Sequence, residues 1–332
     1  MDRKRIVFLF FVFLGLKTVA QPTEYRKSFI AMGSAFEVVV VAGADSASWA
    51  NAILIDAQAH IQTIEHLISS WIPESQTSMV NDNAGLRQVA VSQDLLELVA
   101  RSITISKLTD GAFDISYASM ADVWQFDEAN RTTWPDSSLV AQKRHLVNYQ
   151  NIYINKMDGT IYLEKTGMRI GFGAIGKGFA ADHTAKYLRL QGVKSGVVNA
   201  SGDLFCWGTD ADGAPWRVAV ANPTDKNEVL LWLQATNQAV VTSGDYEKYK
   251  LHNGIRYAHI INPKTGYPVT GVMSATVIAP TAELADALAT AIFVLGREAG
   301  IKLINQLDGI SCIVIDSENK MHTSANIDIA TE

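Results

Sequence analysis

Two polar side chains stand in a stretch of this sequence that is otherwise apolar. Residues 284–291 read Leu-Ala-Asp-Ala-Leu-Ala-Thr-Ala, and only Asp286 and Thr290 interrupt the run. Four residues apart on a helix, the two share one face. Thr281 is placed to cap such a helix and Gly296 to stop it. A carboxylate in that setting needs a partner, because an unpaired buried charge is strongly destabilising. A hard cation held by one carboxylate, one hydroxyl and backbone carbonyls would serve. So would hydrogen bonds from a neighbouring loop at the positive end of the helix.

A second stretch, Gly171-Phe172-Gly173-Ala174-Ile175-Gly176-Lys177-Gly178, offers backbone donors. Gly171, Gly173 and Gly176 spell the dinucleotide fingerprint between a strand and a helix. The acidic residue expected about twenty positions further on is missing, since the next strand ends in Asn199 and Asp203 comes too late. The same string spells most of a phosphate-binding loop, but Gly178 stands where a Ser or Thr must hold the magnesium. What survives is a turn of small residues at a helix N-terminus, suited to a phosphate or serving only as a tight turn.

The elements that would position these groups alternate along the chain. Phe36–Val41 predicts a strand, and Ala47–Ser70 a long helix with Ile53, Ala57, Ile61, Ile64 and Ile68 on one face. Ser92 caps a helix running to Lys107, and a third helix spans about Gly178 to Gln191. Short strands are expected at Asn151–Ile154, Thr160–Leu163 and Met168–Ile170. Others follow at Gly196–Asn199, Trp216–Ala221, Glu228–Gln234, Ala239–Thr242 and Ser274–Ala279. Asp127–Ser138 reads as a surface loop. The order predicts an α+β domain of mainly antiparallel sheet packed with helices, not a regular β-α-β series.

The N-terminus carries Arg3, Lys4 and Arg5 before the apolar run Ile6–Leu16, followed by Thr18 and Ala20. That run spans about 16 Å as a helix, short of the hydrocarbon core of a bilayer. It predicts a secretory signal over residues 1–20 and an exported protein, and residues 21–332 suffice for one large domain or two small ones. The net charge of −6 speaks against a nucleic-acid partner. Cys206 and Cys312 could form one disulfide, but their apolar surroundings read as two buried thiols, and two cysteines exclude a sulfur-ligated metal site. His60, His66, His145, His183, His252 and His322 show no ligand or triad spacing.

Nine segments, in order, carry a resemblance to the FAD:protein FMN transferases, the ApbE-like family, from about Phe29 to the C-terminus. They are 31–34 (Ala-Met-Gly-Ser), 69–71 (Ser-Ser-Trp) with Asn81, 110–114 (Asp-Gly-Ala-Phe-Asp), and the turn 171–178 with Phe179 and Asp182. Further on come Gly202-Asp203, Trp216-Arg217-Val218, residues 242–246, residues 259–266 (His-Ile-Ile-Asn-Pro-Lys-Thr-Gly) and residues 285–291. The chain departs from the family's usual pattern at Gly171-Phe172 (commonly Asp-Leu), Gly176 (Ala), Ser34 (Thr), Ser201 (Gly) and Ala258 (His).

The resemblance implies a reaction and a site. Such enzymes split FAD with magnesium and attach FMN to a threonine hydroxyl of a target protein, releasing AMP, on the outer side of bacterial inner membranes. It implies Asp286, Thr290 and the Gly176 carbonyl as metal ligands. Met32, Trp71, Ala112, Phe113, Asp114, Gly173, Lys177 and His259 are the FAD-site positions, with Trp71 in place of a stacking tyrosine. His259 is the base for the incoming threonine, and Asp286 is catalytic through the metal. The acceptor would be a flavoprotein with an exposed threonine motif, expected to be a membrane redox subunit. An FAD pyrophosphatase and a non-catalytic exported FAD-binding protein are the alternatives.

Overall fold

Among the described residues every strand pairing is antiparallel, and alternating branched side chains let one sheet be covered on both faces. The computed structural model describes residues 22–126, 128–130, 132–225 and 228–327. The expected signal segment, residues 1–20, lies outside the described residues.

The strands in chain order are β1 (Pro22–Ala31), β2 (Ser34–Gly43), β3 (Val89–Ala90), β4 (Ile152–Asn155), β5 (Thr160–Leu163), β6 (Gly196–Ala200) and β7 (Asp203–Trp207). They continue with β8 (Trp216–Ala221), β9 (Val229–Ala235), β10 (Gln238–Gly244), β11 (Tyr249–His252), β12 (Ile255–Ala258), β13 (Val272–Ala279), β14 (Ser311–Asp316) and β15 (Met321–Thr323). The helices are α1 (Ala47–Ile68), α2 (Gln76–Asp82), α3 (Gln93–Leu108), α4 (Ser137–Arg144), α5 (Gly176–Leu190), α6 (Ala282–Leu295) and α7 (Arg297–Ile304). Eight strands form one sheet in the order β1-β2-β6-β7-β10-β13-β14-β15.

The period of two sorts each strand's side chains. Val38 and Val40 of β2, Phe205 and Trp207 of β7, and Ala275 and Val277 of β13 face the helices in the main core. Val39, Leu204, Cys206 and Val240 face the other way, where the β8–β9 hairpin covers them with Trp216, Val218 and Leu233. On the helical side α1 lies over β1 and β2, α5 over β6 and β7, and α6 over β10 and β13. The expected apolar stripe of α1 is buried along its whole length. Cys206 and Cys312 are buried free thiols, and burial pushes both up to about 11. No helix among the described residues is long and apolar enough to cross a membrane.

The joint that matters for the site is the crossing of α5 and α6. A Cβ on Gly178 would meet the Ala282 carbonyl oxygen at 2.2 Å, so only glycine lets α5 come this close. One turn on, the two carboxylate oxygens of Asp182 accept the Ala282 and Glu283 N–H groups, each at 2.9 Å. Thr281 caps the same helix end through Leu284 N–H, and Arg101 of α3 donates twice to Glu283, at 2.6 and 2.8 Å. The start of α6 is thereby tied to α3 and α5 before its central residues are considered.

One expected strand does not form. Met168–Ile170 joins no sheet, because side chains satisfy its backbone. Asn81 accepts from Ile170 N–H and donates to its carbonyl, at 2.7 and 3.0 Å, and Ser119 Oγ accepts from Arg169 N–H. The expected surface loop before α4 is also more tightly held than its composition implies. Trp134 packs edge-on against Trp124, and Lys250, 2% exposed, donates to the Asn130 and Thr133 carbonyls.

Candidate functional site

A cleft of about 1140 Å³ opens at the end of the sheet where the β1–β2 and β6–β7 turns meet the start of α5. Both turns have two residues, and both place a non-glycine residue in the left-handed region: Met32 at φ 51° and Ser201 at φ 57°. Met32 and Ser201 thus line the cleft instead of extending their strands.

Its floor is charged. Asp286 and Thr290 of α6 line it together with Lys177 and Gly173. Asp286 is 3% exposed, and its Oδ2 accepts Gly178 N–H at 3.2 Å. Burial, with Asp203 adding to it, raises the Asp286 carboxyl well above the ordinary range, while Lys177 and the Gly178 N–H oppose that shift. Lys177 Nζ stands 2.5 Å from Asp203 Oδ2 on β7. Burial works against the ammonium, but Asp203 and Asp286 more than compensate and hold it above the usual lysine range.

A carboxylate this short of positive charge, beside a threonine on its own helix face, suits a hard cation. Among the described residues no group of three or more His, Cys, Asp and Glu is placed to hold a metal. A cation here would therefore rest on a mixed set of carboxylate, hydroxyl and carbonyl oxygens. Gly176, the expected carbonyl ligand, lies at the first turn of α5, next to Lys177. It is buried behind the cleft wall, where a Cβ would meet Ile68 Cδ1 at 3.0 Å.

Trp71 and His259 occupy other parts of the rim. Trp71 follows α1 and lines the cleft with 83% of its surface exposed, so it is no core residue and presents an open aromatic face. His259 is half-buried, and its Nδ1 lies 3.2 Å from the Lys248 carbonyl. A carbonyl only accepts, so Nδ1 carries the proton and Nε2 remains the acceptor. Burial first, then Lys177 and Lys248, push His259 down to about 4 against the effect of that carbonyl, keeping the ring neutral.

Ala112, Phe113 and Asp114 line the cleft as a buried turn. The Asp114 carboxylate is committed locally. Oδ1 accepts from Ser116 N–H and Oγ–H at 2.8 and 2.6 Å, and Oδ2 from Tyr149 N–H at 2.8 Å. Its side chain secures the turn instead of reaching for a ligand.

Two further residues had no role in the sequence reading. Tyr117 places its hydroxyl 2.5 Å from where a Cβ on Gly173 would stand, and burial raises it to about 12. Asp203 is 1% exposed and is the ion-pair partner of Lys177. In the sequence the Gly202-Asp203 pair stands only as one of the segments that carry the family resemblance, and nothing in it names Lys177 as the partner.

Known proteins share this arrangement of elements. A curated FAD:protein FMN transferase of Klebsiella pneumoniae is 32% identical over 294 residues, covering 87% of this chain and 83% of that one. Its Escherichia coli K12 counterpart is 31% identical over 266 residues, covering 79% and 76%. The crystal structure of the ApbE protein of Thermotoga maritima superposes with a TM-score of 0.84 at 27% identity, covering 91% of this chain and 97% of that one. The flavin transferase ApbE of Vibrio cholerae gives 0.81 at 26% identity, covering 92% and 98%. The description of the ApbE family matches residues 32–314, and with the cleft and its neighbours in place the chain belongs to that family.

Proposed function

We propose that this protein transfers FMN from FAD to a threonine hydroxyl of an acceptor protein, with magnesium, and releases AMP. The observation that carries the reading is the convergence of Lys177, Asp286, Thr290 and the free Nε2 of His259 on one cleft large enough for a dinucleotide. The relatives' shared name, FAD:protein FMN transferase, supports the same reaction.

In this reading Trp71 stacks on the flavin and Met32 and Phe113 line its pocket, leaving the diphosphate over Gly173 and Lys177. Asp286 and Thr290, with the Gly176 carbonyl, hold the magnesium. When bound, the ion supplies positive charge against the diphosphate and the leaving group. Nε2 of His259 takes the threonine proton as Oγ attacks the FMN-side phosphorus. The bond to the AMP phosphate breaks, and AMP departs with that oxygen. The basic, apolar N-terminal segment supports export to the periplasm, where a membrane redox subunit with an exposed threonine would be the acceptor.

The test is chromatography of the nucleotides after incubation with FAD, magnesium and an acceptor domain. Transfer predicts AMP in excess of free FMN. Equal amounts of AMP and FMN, unchanged by the acceptor, would make the protein a pyrophosphatase. Intact FAD throughout would make it a binding protein.

A further inference from the structure

Lys177 sits between two buried carboxylates brought in by different elements. Asp203 opens β7, directly after the Ser201–Gly202 turn, and pairs with Ala200 across the hairpin. Asp286 comes from the middle of α6. Gly178, the next residue after Lys177, already donates its N–H to Asp286. Both carboxylates act on the ammonium, and Lys177 in turn acts on Asp286. Yet the close contact is with Asp203, at 2.5 Å, and the lysine side chain stays 30% exposed toward the cleft.

This geometry poses a competition. A lysine one residue from a metal-ligand contact can fold onto that carboxylate and occupy the place of the cation, since an ammonium and a divalent ion seek the same oxygens. We propose that Asp203 is a positioning residue which holds the Lys177 ammonium away from Asp286, keeping Asp286 free for the cation and aiming Lys177 at the diphosphate. The inference rests on the transferase reading of the site, because it assumes that Asp286 binds the cation. Asp203 does not line the cleft and acts through Lys177. Its burial at 1% fits that task, because a carboxylate fixed in a strand cannot follow the lysine if the lysine moves.

The test is Mn²⁺ binding to the FAD-free protein, read by electron paramagnetic resonance, on wild type, Asp286→Ala, Asp203→Asn, Lys177→Met and the Asp203→Asn/Lys177→Met double variant. Wild type binds and Asp286→Ala does not; if the two bind alike, the metal reading itself fails, separately from this inference. Asp203→Asn weakens Mn²⁺ about tenfold although it removes no ligand, in line with the effect of losing an outer partner of a metal site. With Lys177 replaced by Met the competitor is gone, so adding Asp203→Asn changes affinity by less than about threefold, the signature of coupled residues. An equal loss in both backgrounds would reduce Asp203 to a remote negative charge and overturn the proposal. FAD and riboflavin affinities give a second reading: Asp203→Asn weakens FAD and spares riboflavin, which has no phosphate. If Asp203→Asn does not fold, Asp203→Ser replaces it in the same series, and Lys177→Met alone must leave Mn²⁺ affinity equal or higher. A fall in that variant would also overturn the proposal.

Discussion

The two walls of the cleft are built in different ways. The wall with Asp286, Thr290 and Lys177 is made by α5 and α6, whose apolar residues lie in the main core and whose crossing is fixed by the Gly178 contact, the Asp182 cap and the Arg101–Glu283 pair. The wall with His259 stands beside a smaller, separate cluster around Trp124 and Trp134, which includes Phe126, Val140, Ile261 and Tyr267. There Phe126 meets the His259 ring edge-on at 6.3 Å, and the Lys250 ammonium lies 5.9 Å from the Phe126 centroid. The side that binds charge is thus anchored on helices, and on the side that accepts a proton the His259 ring packs against the satellite while Ala258 and Ile260 beside it belong to the main core. A site that must hold a dinucleotide still while admitting a protein hydroxyl is well served by that division.

The largest break expected is on the rigid wall. Asp286→Ala removes the sole carboxylate that Asp286 and Thr290 offer a cation, and turnover should fall about a thousandfold or more. Steady-state AMP release measures it, and a loss of under tenfold would remove Asp286 from the chemistry. Gly178→Ala tests whether the wall is rigid: overpacking against Ala282 should cost about 2–3 kcal/mol in denaturant unfolding and weaken cation binding with it. Unchanged stability would mean that α5 can slide.

The satellite wall should respond differently. Lys250→Met removes the ammonium that donates to the Asn130 and Thr133 carbonyls and should cost about 2 kcal/mol. Turnover should drop while the Kd for FAD stays near its wild-type value, because neither Trp71 nor Lys177 is touched. Equal losses in both would show that the two walls are one unit.

The state of His259 gives a finer test. Its value near 4 lies below the ordinary 6.5, so the unfolded chain takes up the proton first as pH falls. The stability this group contributes is therefore complete above about pH 6.5 and is lost as pH drops toward 4. Two-dimensional NMR of the histidine ring protons, assigned with His259→Asn, should show a midpoint near 4. A midpoint at 6.5 would mean that the ring is solvated and the satellite wall open. The smallest effect is at the turn between β6 and β7, where Ser201 holds φ 57°. Ser201→Gly should relieve that backbone and stabilise the protein by about 0.5 kcal/mol, and thermal unfolding would show a fall instead if the serine side chain were needed there.

What the sequence made legible follows the same division. Asp286 and Thr290 declared themselves by being polar in an apolar helix, and Thr281 and Gly296 bounded that helix where the structure bounds it. The stripe of α1 and the cap at Ser92 were equally plain, being local patterns within one element. The Lys177–Asp203 pair was not, because its partners lie 26 positions apart on a helix and a strand whose adjacency only the sheet order creates. Met168–Ile170 misled for the reverse reason: its composition is that of a strand, but Asn81 and Ser119 satisfy its backbone from far along the chain. The edge strands β1 and β15 and the inner strand β14 also escaped notice. β1 alternates Tyr, Lys and Phe with exposed neighbours, and it pairs along its whole length with β2 across the Met32–Gly33 turn.

One measurement reaches the central claim most directly. An acceptor domain bearing a surface threonine is incubated with the protein, FAD and magnesium, and then weighed by intact mass spectrometry. The account predicts a gain equal to FMN less water, absent with Asp286→Ala and absent when the acceptor threonine is replaced by alanine. FAD consumed with no gain in acceptor mass, across acceptors carrying the threonine motif, would contradict it.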